Sequence, residues 1–171
     1  MRPENRARFL SSAEITRDSQ LAWTERARND PTDLTCVAVR GGRPVGMVAL
    51  YDIAGGGAEY GRIVIDETSR RQRVGLAISG CIVAFGFGAL ELDLIYANCL
   101  SQNRPILDLL GLLGFRRAGT WHHEQSGLDV ERLEIGRPAW SDSPASRVFD
   151  RLYPSVIQAG ASGSNPATST Q

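Results

Sequence analysis

Residues 70–77 read Arg-Arg-Gln-Arg-Val-Gly-Leu-Ala, and this stretch joins two segments of different character. The segment before it, Glu59–Ile65, is short and rich in β-branched residues, which predicts a strand. The uncharged segment Val74–Leu90 is too long for a strand and predicts a helix that is buried on several sides. The polar residues between them, Asp66–Arg73, are therefore predicted to form a loop that leads from a strand into the first turn of a helix.

The start of that helix has the properties of an anion-binding site. The first N–H groups of a helix have no partner within it, and the helix dipole is positive there. Gly75 allows the backbone to approach a phosphate closely, while Arg70, Arg71 and Arg73 add charge-assisted contacts. The alternative is a solvated arginine loop ahead of a buried helix, and the loop taken alone does not decide between the two.

Ahead of the loop, the sequence predicts a surface helix at Ile15–Arg28, closed by Asp30-Pro31, and then three antiparallel strands. Glycine pairs between β-rich runs are typical of tight hairpin turns. The strands are predicted at Leu34–Arg40, Pro44–Tyr51 and Glu59–Ile65, with turns at Gly41-Gly42 and Gly55-Gly56-Gly57.

After the apolar helix, the pattern continues with a strand, a helix and a closing hairpin. These elements are predicted at Leu92–Cys99, Asn103–Leu113 (stopped by Gly114), Arg116–His123 and Leu128–Gly136. The fold class is therefore α/β, with a mixed, mostly antiparallel sheet flanked by helices.

The length and composition indicate one globular domain. The chain has 171 residues, of which 42% are hydrophobic, and this suffices for a single packed core. We expect the domain at residues 1–157, with its core at 15–139. Residues 158–171 are almost entirely small and polar, which predicts a disordered tail.

The charges favour a small-molecule partner. Nineteen basic residues balance nineteen acidic ones, so no overall field attracts the chain to nucleic acid or to a membrane. All of the basic residues are arginine, which excludes a Schiff-base lysine and suggests a GC-rich bacterial genome. The sequence leaves the oligomeric state open, a homodimer included.

The cysteines and the N-terminus predict a cytoplasmic protein. Cys36, Cys81 and Cys99 are odd in number and widely spaced, which indicates neither a disulfide framework nor a metal site. The first eight residues are polar and no apolar segment follows them, so no secretory signal is predicted. Residues 74–90 fall short of the ~20 apolar residues that a membrane span requires.

Two motifs resemble those of the GNAT N-acetyltransferases. The loop is similar to their acetyl-CoA signature, Gln/Arg-x-x-Gly-x-Gly/Ala, with Arg70 first, Gly75 last and Arg73 in the place of the middle glycine. Residues 103–115 are similar to a second motif, Asn-x-x-Ala-Ile-x-Leu-Tyr-x-x-x-Gly-Phe, with its spacing preserved. Leu110 stands where the family commonly has the tyrosine that protonates the leaving thiolate.

The resemblance implies a GNAT fold with splayed central strands, and an enzyme that moves acetyl from acetyl-CoA to a primary amine in a ternary complex. Across residues 15–139 the chain looks closest to acetyltransferases of nucleotide-linked amino sugars, whose central hairpin the segments Gly46–Ile53 and Glu59–Ile65 resemble. It also implies that the customary first strand is missing ahead of Met1. An antibiotic amine, a protein N-terminus and a non-catalytic acyl-CoA-binding module remain alternatives.

The resemblance also assigns roles to residues. Glu59 is the expected general base, and Tyr96 or water replaces the usual tyrosine acid, with His122 or His123 as the next candidate base. The expected acetyl-CoA contacts are Ile63, Val64, Ile65, Arg70, Arg71, Gln72, Arg73, Val74, Gly75, Leu76, Ala77, Asn98, Asn103 and Leu110.

The acceptor would lie against the hairpins at one end of the sheet. Its expected contacts are Tyr51, Asp52, Tyr60, Arg62 and His122, with Arg62 or an arginine from the loops as the cation for a diphosphate. The two-residue period of a strand would place Glu59 and Gly61 on one face of the sheet and Tyr60 and Arg62 on the other. No metal ion is expected.

Overall fold

The computed structural model describes residues 16–153, apart from Gln125 and the side chain of Arg71. The predictions of a missing first strand and of a disordered tail concern residues outside this range. The helices are α1 (Arg17–Asn29), α2 (Val74–Gly88), α3 (Arg104–Leu112), α4 (Arg137–Ser141) and α5 (Pro144–Leu152), and a 3₁₀ helix spans Glu67–Gln72. The strands are β1 (Leu34–Arg40), β2 (Arg43–Ala54), β3 (Gly57–Ile65), β4 (Leu94–Leu100), β5 (Arg116–His123) and β6 (Leu128–Gly136).

The six described strands form one mixed sheet in the order β1-β2-β3-β4-β6-β5. β3 and β4 run parallel, and every other neighbouring pair is antiparallel. The parallel ladder has three residue pairs, of which Glu59 with Tyr96 is the last. Beyond that pair β3 and β4 separate, so the predicted fold class and the predicted splay of the central strands are confirmed.

Glycine pairs form both tight hairpin turns. Gly41 and Gly42 have φ values of 57° and 77°, and Gly55 and Gly56 have 56° and 77°. Two consecutive positive φ angles are the requirement of a type I′ turn, whose twist matches that of the flanking strands. The two hairpins predicted from these dipeptides are confirmed.

The two faces of the sheet differ in composition. The apolar face carries Tyr60, Ile95, Ala97, Leu133 and Ile135, and these side chains form the core with α2, α3 and α5. The opposite face, which we call the polar face, carries Tyr51, Glu59, Tyr96, Arg132 and Glu134 at its centre, all partly exposed. Burial of the apolar face stabilises the fold, and the polar face offers side chains for chemistry.

A β-bulge in β3 corrects the facing predicted from the two-residue period. Arg62 and Ile63 together stand opposite Val48, and Arg62 has a φ of 52°. The extra residue reverses the alternation, so Ile63 packs against the core while Arg62 lies on the same face as Glu59. The prediction that Arg62 shares a face with Tyr60 was therefore wrong, because a bulge shifts every following side chain by one position.

Two helices that the sequence analysis did not predict complete the core. Trp140 of α4 and Phe149 of α5 are buried, and their ring centroids are 6.2 Å apart. The Phe149 ring lies directly over Gly80 of α2, where an added Cβ would be 1.9 Å from the ring. Both helices are shorter than three turns, so their sequence carries too little periodicity for recognition.

The other predicted elements occur with small shifts of their ends. α2 ends at Gly88 instead of Leu90, and β4 begins at Leu94 instead of Leu92. The polar loop contains the 3₁₀ helix, which Asp66 caps by accepting from the Thr68 amide at 3.1 Å. Within residues 16–153, no helix combines the length and the apolar character that a membrane crossing requires.

Candidate active site

Four side chains form a row across the polar face. Tyr51 pairs with Glu59 across β2 and β3, Glu59 with Tyr96 across β3 and β4, and Tyr96 with Glu134 across β4 and β6. Direct partners on neighbouring strands share a face and lie about 5 Å apart. Glu59 and Tyr96, the two residues to which the sequence analysis assigned proton transfer, are thus adjacent where β3 and β4 begin to separate.

Tyr51 holds the carboxylate of Glu59. Its hydroxyl donates to Glu59 Oε1 at 2.8 Å. Burial and the negative charge of Glu59 raise the pKa of Tyr51 far above its usual range, so the hydroxyl stays protonated and remains a donor. The Tyr51 ring crosses Gly61, where an added Cβ would be 2.8 Å from the hydroxyl. Gly61 therefore provides the space in which Tyr51 reaches Glu59.

Tyr96 lies beneath a guanidinium group. Arg132 Cζ is 3.9 Å from the Tyr96 ring centroid, and Arg132 Nε donates to Glu134 Oε1 at 2.6 Å. Burial raises the pKa of Tyr96, and the charges of Glu59 and Asp52 raise it further, against a smaller opposite effect of Arg132. Tyr96 is therefore a neutral hydroxyl at physiological pH and can donate a proton.

Arg62 is already paired on this face. It forms an ion pair with Asp33, and its guanidinium lies over the rings of Tyr51 and Trp23. From the sequence, Arg62 was one of the cations expected to be available to a diphosphate, whereas in the structure it has a carboxylate partner. Asp52 lies nearby, exposed, at a second bulge with a φ of 51°.

A gap opens between the central strands beyond Glu59 and Tyr96. From Tyr60 to Ile65, the side of β3 that faces β4 pairs with no residue of β4. Ile63, Val64 and Ile65, three of the expected acetyl-CoA contacts, lie on this edge, and the extended amides of a ligand can pair with such an edge as an added strand would. At ~3.3 Å per residue the edge runs about 20 Å from Glu59 to Ile65.

The gap leads to the arginine loop, where the backbone has a conformation suited to holding an anion. Gln72 ends the 3₁₀ helix and Arg73 follows in the left-handed region, at φ 58° and ψ 16°. A right-handed residue followed by a left-handed one forms a concave nest of N–H groups. α2 begins at the next residue, and Arg73 places no side-chain cap on its first N–H groups. Arg73 adopts the positive φ that explains why the family's motif has glycine at this place.

Further features agree with a bound coenzyme at this gap. Asn98 Oδ1 on β4 is buried and has no hydrogen-bond partner among the described residues, so a ligand amide would satisfy it. The Asn103 side chain does not cap α3, which leaves its amide available. Gly75 faces Leu109 and Ile65, with an added Cβ at 3.4 Å from Leu109, so a bulky residue there would force α2 away from α3.

Three predicted site residues lie elsewhere. Tyr60 is 2% exposed in the core, where its hydroxyl is 2.6 Å from Ser79 Oγ, so it is not an acceptor contact. Leu110 is fully buried and is likewise a core residue. His122 is on the edge strand β5, where it pairs with Asp129, five residues (about 17 Å) along β6 from the Glu134 end of the row.

The cysteine nearest the gap is a poor nucleophile. Cys99 follows Asn98 on β4 and packs against the core, and burial raises the pKa of its thiol to about 12. At neutral pH the thiolate is therefore scarcely populated. Direct transfer to the amine agrees with this environment better than a transient acyl-cysteine does.

Comparison with known protein families identifies the family of this chain. Residues 3–115, about two thirds of the chain, match the sequence profile described as the Acetyltransferase (GNAT) family. The chain belongs to the GNAT acetyltransferase family. It is therefore an acyltransferase whose acetyl donor is acetyl-CoA. No curated protein sequence matches the chain.

The solved structures that resemble this chain include spermidine N-acetyltransferases from Vibrio cholerae. The enzyme in complex with CoA and spermine has a TM-score of 0.72 and 17% identity, over 81% of this chain and 86% of that chain. A chimera of SpeG with hSSAT has a TM-score of 0.71 and 18% identity, over 79% and 86%. At this identity the likeness concerns the fold, and it agrees with the splayed sheet described above.

Proposed function

We propose that this GNAT enzyme acetylates the primary amine of a small molecule by direct attack within a ternary complex. The observation that carries the proposal is the pairing of Glu59 with Tyr96 where β3 and β4 separate. A proton acceptor and a proton donor then lie side by side at the end of the gap that would hold the coenzyme. Amine acetylation requires both, because the amine loses a proton and the leaving sulfur gains one.

Glu59 would take the proton from the acceptor. An alkyl ammonium must lose a proton before its nitrogen can attack, and a carboxylate can accept it directly or through one water. The hydrogen bond from Tyr51 fixes one oxygen, Oε1, and leaves Oε2 to face the acceptor. Tyr51 is therefore better described as a support of the base than as the acceptor contact that the sequence predicted.

The residues around the gap would hold the coenzyme. When bound, acetyl-CoA supplies a thioester carbonyl open to attack and a thiolate as the leaving group. Ile63 to Ile65 would pair with the pantetheine arm, the Val64 amide would polarise the carbonyl oxygen, and the cradle at Arg73 and Val74 would bind the pyrophosphate. Tyr96 would return a proton to the sulfur in place of the tyrosine that Leu110 replaces.

The polar face favours an acceptor without phosphate groups. Arg62, one of the cations that the sequence offers to a nucleotide diphosphate, is paired with Asp33, and Arg132 is paired with Glu134. Glu59 in the row and Asp52 beside it add negative charge, which attracts an ammonium and repels a diphosphate. A free amino sugar or another small amine therefore fits this face better than the nucleotide-linked amino sugar that the sequence favoured.

A panel of acceptors tests the proposal. Release of coenzyme A thiol is measured with a free amino sugar, its nucleotide-linked form, an alkyl monoamine, spermidine and a peptide with a free N-terminus. We expect turnover with the free amino sugar or the monoamine, and none faster with the nucleotide-linked form. If thiol release were about tenfold or more faster with the nucleotide-linked amino sugar than with the free one, this would support recognition of the diphosphate. Tight binding of acetyl-CoA with no thiol release in any mixture would instead indicate a non-catalytic binding module.

The coenzyme cradle has its own test. By calorimetry we expect acetyl-CoA to bind in the micromolar range, about −8 kcal/mol. Gly75→Trp should weaken binding at least about tenfold, because the indole would collide with Leu109 and Ile65 and displace the start of α2. Gly75→Ala is the matched control, since its methyl group would meet only ordinary contacts. Equal affinities of all three proteins would refute the cradle.

A further inference from the structure

The guanidinium of Arg62 lies in an aromatic and acidic enclosure on the polar face. Its Cζ is 5.1 Å from the centroid of Trp23, on α1, and 4.2 Å from the centroid of Tyr51. Asp33 completes the enclosure by an ion pair, and its side chain is only 8% exposed. Aromatic rings together with a carboxylate are the groups by which proteins bind organic cations. Trp23, Tyr51 and Asp33 thus form a cation site, and Arg62 fills it.

This cation site adjoins the candidate base. The ring of Tyr51 contacts Arg62, and the hydroxyl of the same residue donates to Glu59. A cation held here is therefore separated from Glu59 by one tyrosine side chain. A flexible molecule with an ammonium group at each end could place one at Glu59 and the other in the cation site, if the site were empty.

The backbone conformation of Arg62 is unfavourable for a non-glycine residue, which indicates that its side chain makes a compensating contribution to stability. Its φ of 52° lies in the left-handed region, which costs a non-glycine residue ~1 kcal/mol or more. Glycine would suit the bulge better on backbone grounds alone. The contacts of the guanidinium with the two rings and with Asp33 offset that strain, and the bulge directs the side chain to the face that holds Glu59.

We propose that Arg62 is a specificity-determining residue: by filling the cation site, it limits the enzyme to recognising one ammonium group of its acceptor, the one at Glu59, so that a second ammonium group gains no affinity. The proposal rests on the function proposed above and narrows acceptor recognition to a single ammonium group. Removal of the guanidinium would leave the buried Asp33 carboxylate without a cation, held only by the hydrogen bond that it accepts from the Thr35 hydroxyl at 2.9 Å. Such a charge is costly to bury alone, so the emptied site would take up an external cation.

Paired acceptors test this limit. The rates compared are kcat/KM for linear alkyl monoamines and for α,ω-diamines of the same length, with three to six carbons. In the unmodified enzyme the second ammonium should change kcat/KM by less than about threefold. Arg62→Gly, which suits the positive φ, should raise the diamine-to-monoamine ratio by about tenfold or more. Arg62→Lys keeps a cation in the site and should keep the original ratio. Equal ratios in all three proteins would overturn the proposal.

A binding measurement tests the cation site without turnover. Methylguanidinium should raise the Tm of Arg62→Gly and leave that of the unmodified protein unchanged, and a diamine should raise the Tm of Arg62→Gly more than that of the unmodified protein, because a ligand of the folded state stabilises it by mass action. Adding Trp23→Ala to Arg62→Gly should abolish the gain. Arg62→Asn, neutral and tolerant of a positive φ, replaces the glycine variant if that variant does not fold.

The two measurements separate the two proposals. If neither probe stabilises the folded Arg62→Gly or Arg62→Asn protein, the cation site does not exist as described and the proposal fails. If the probes stabilise the variants while no amine is acetylated by any of these proteins, the cation site is supported and the proposed function fails.

Discussion

Gly80 on α2 and Gly61 on β3 both make room for an aromatic ring, one over the apolar face of the sheet and the other on the polar face. An added Cβ at Gly80 would be 1.9 Å from Phe149, whose ring is buried between α2 and Trp140. An added Cβ at Gly61 would be 2.8 Å from the hydroxyl of Tyr51, the free end of a partly exposed side chain.

The comparison shows that the same residue type serves different ends on the two faces. Phe149 cannot move without disrupting packed neighbours, because protein interiors are close-packed. Tyr51 can swing toward solvent, but it then no longer donates to Glu59. A methyl group at Gly80 should therefore cost stability, whereas a methyl group at Gly61 should cost activity.

The largest effect is expected on the apolar face. Gly80→Ala should lower the free energy of unfolding by about 3 kcal/mol, since the Phe149 ring must leave its place and α5 must shift with it. Urea denaturation followed by circular dichroism measures this. Gly111→Ala is the control, because this helical glycine faces open space and alanine there should stabilise α3 by about 1 kcal/mol. If both variants changed the free energy of unfolding by similar amounts, the packing of Phe149 over Gly80 would not have the stabilising role assigned to it.

The next effect concerns the base on the polar face. Glu59→Gln should lower kcat about 100-fold, because the amide keeps the shape of the side chain but cannot accept the proton. Acetyl-CoA affinity, by calorimetry, and Tm should stay close to those of the unmodified enzyme. If kcat were unchanged in the variant, Glu59 would be an ordinary strand residue, and water or Asp52 would become the next candidate for the base.

Gly61→Ala should have an intermediate effect on rate and a small one on stability. Displacing Tyr51 removes one hydrogen bond to a charged group, worth about 1.5 kcal/mol, so kcat should fall about tenfold. Tyr51→Phe keeps the ring and should give a similar loss, and the double variant should be no worse than either single one. If Gly61→Ala instead destabilises the fold as much as Gly80→Ala, then a methyl group costs stability on both faces and the predicted difference between them is wrong.

The smallest effect is the pH dependence of the proposed acid. Because burial and nearby carboxylates raise the pKa of Tyr96, its hydroxyl keeps its proton beyond the usual value of about 10. In single-turnover assays, any fall in rate caused by ionisation of Tyr96 should therefore occur above pH 10. Tyr96→Phe should lower the rate less than about tenfold, since coenzyme A is a fair leaving group. If the rate already falls between pH 8 and 9, and if Tyr96→Phe shows the same fall, then the fall is caused by the ionisation of a group other than Tyr96.

Much of the fold follows from local signals in the sequence. The dipeptides Gly41-Gly42 and Gly55-Gly56 predict two hairpins because few other residues adopt consecutive positive φ angles. Gly114 of the second motif, at φ 96°, marks the point where the helix must stop. α4 and α5 escaped prediction because their formation depends on packing against α2, a contact between residues far apart in the chain.

The candidate site was predictable in part. Glu59 and Tyr96 were identified by motif position, and the register of β3 and β4 places them side by side. Tyr60, Leu110 and His122 were assigned to the site by strand or motif position, but burial and distance along the sheet exclude them. Trp23 and Asp33 were missed as neighbours of Arg62, and no local signal could have found them, because they precede it by 39 and 29 residues.

By itself the sequence determined the elements up to β6, their order and the family, because turn residues, apolar periods and the loop at residues 70–77 are properties of neighbouring residues. Only the tertiary structure decided which side chains meet. The bulge at Arg62 reversed the facing of β3, and the ion pair with Asp33 turned an expected diphosphate ligand into the occupant of a cation site. Register and bulges arise from pairing between strands, so their consequences for charge and contact appear only once the sheet has formed.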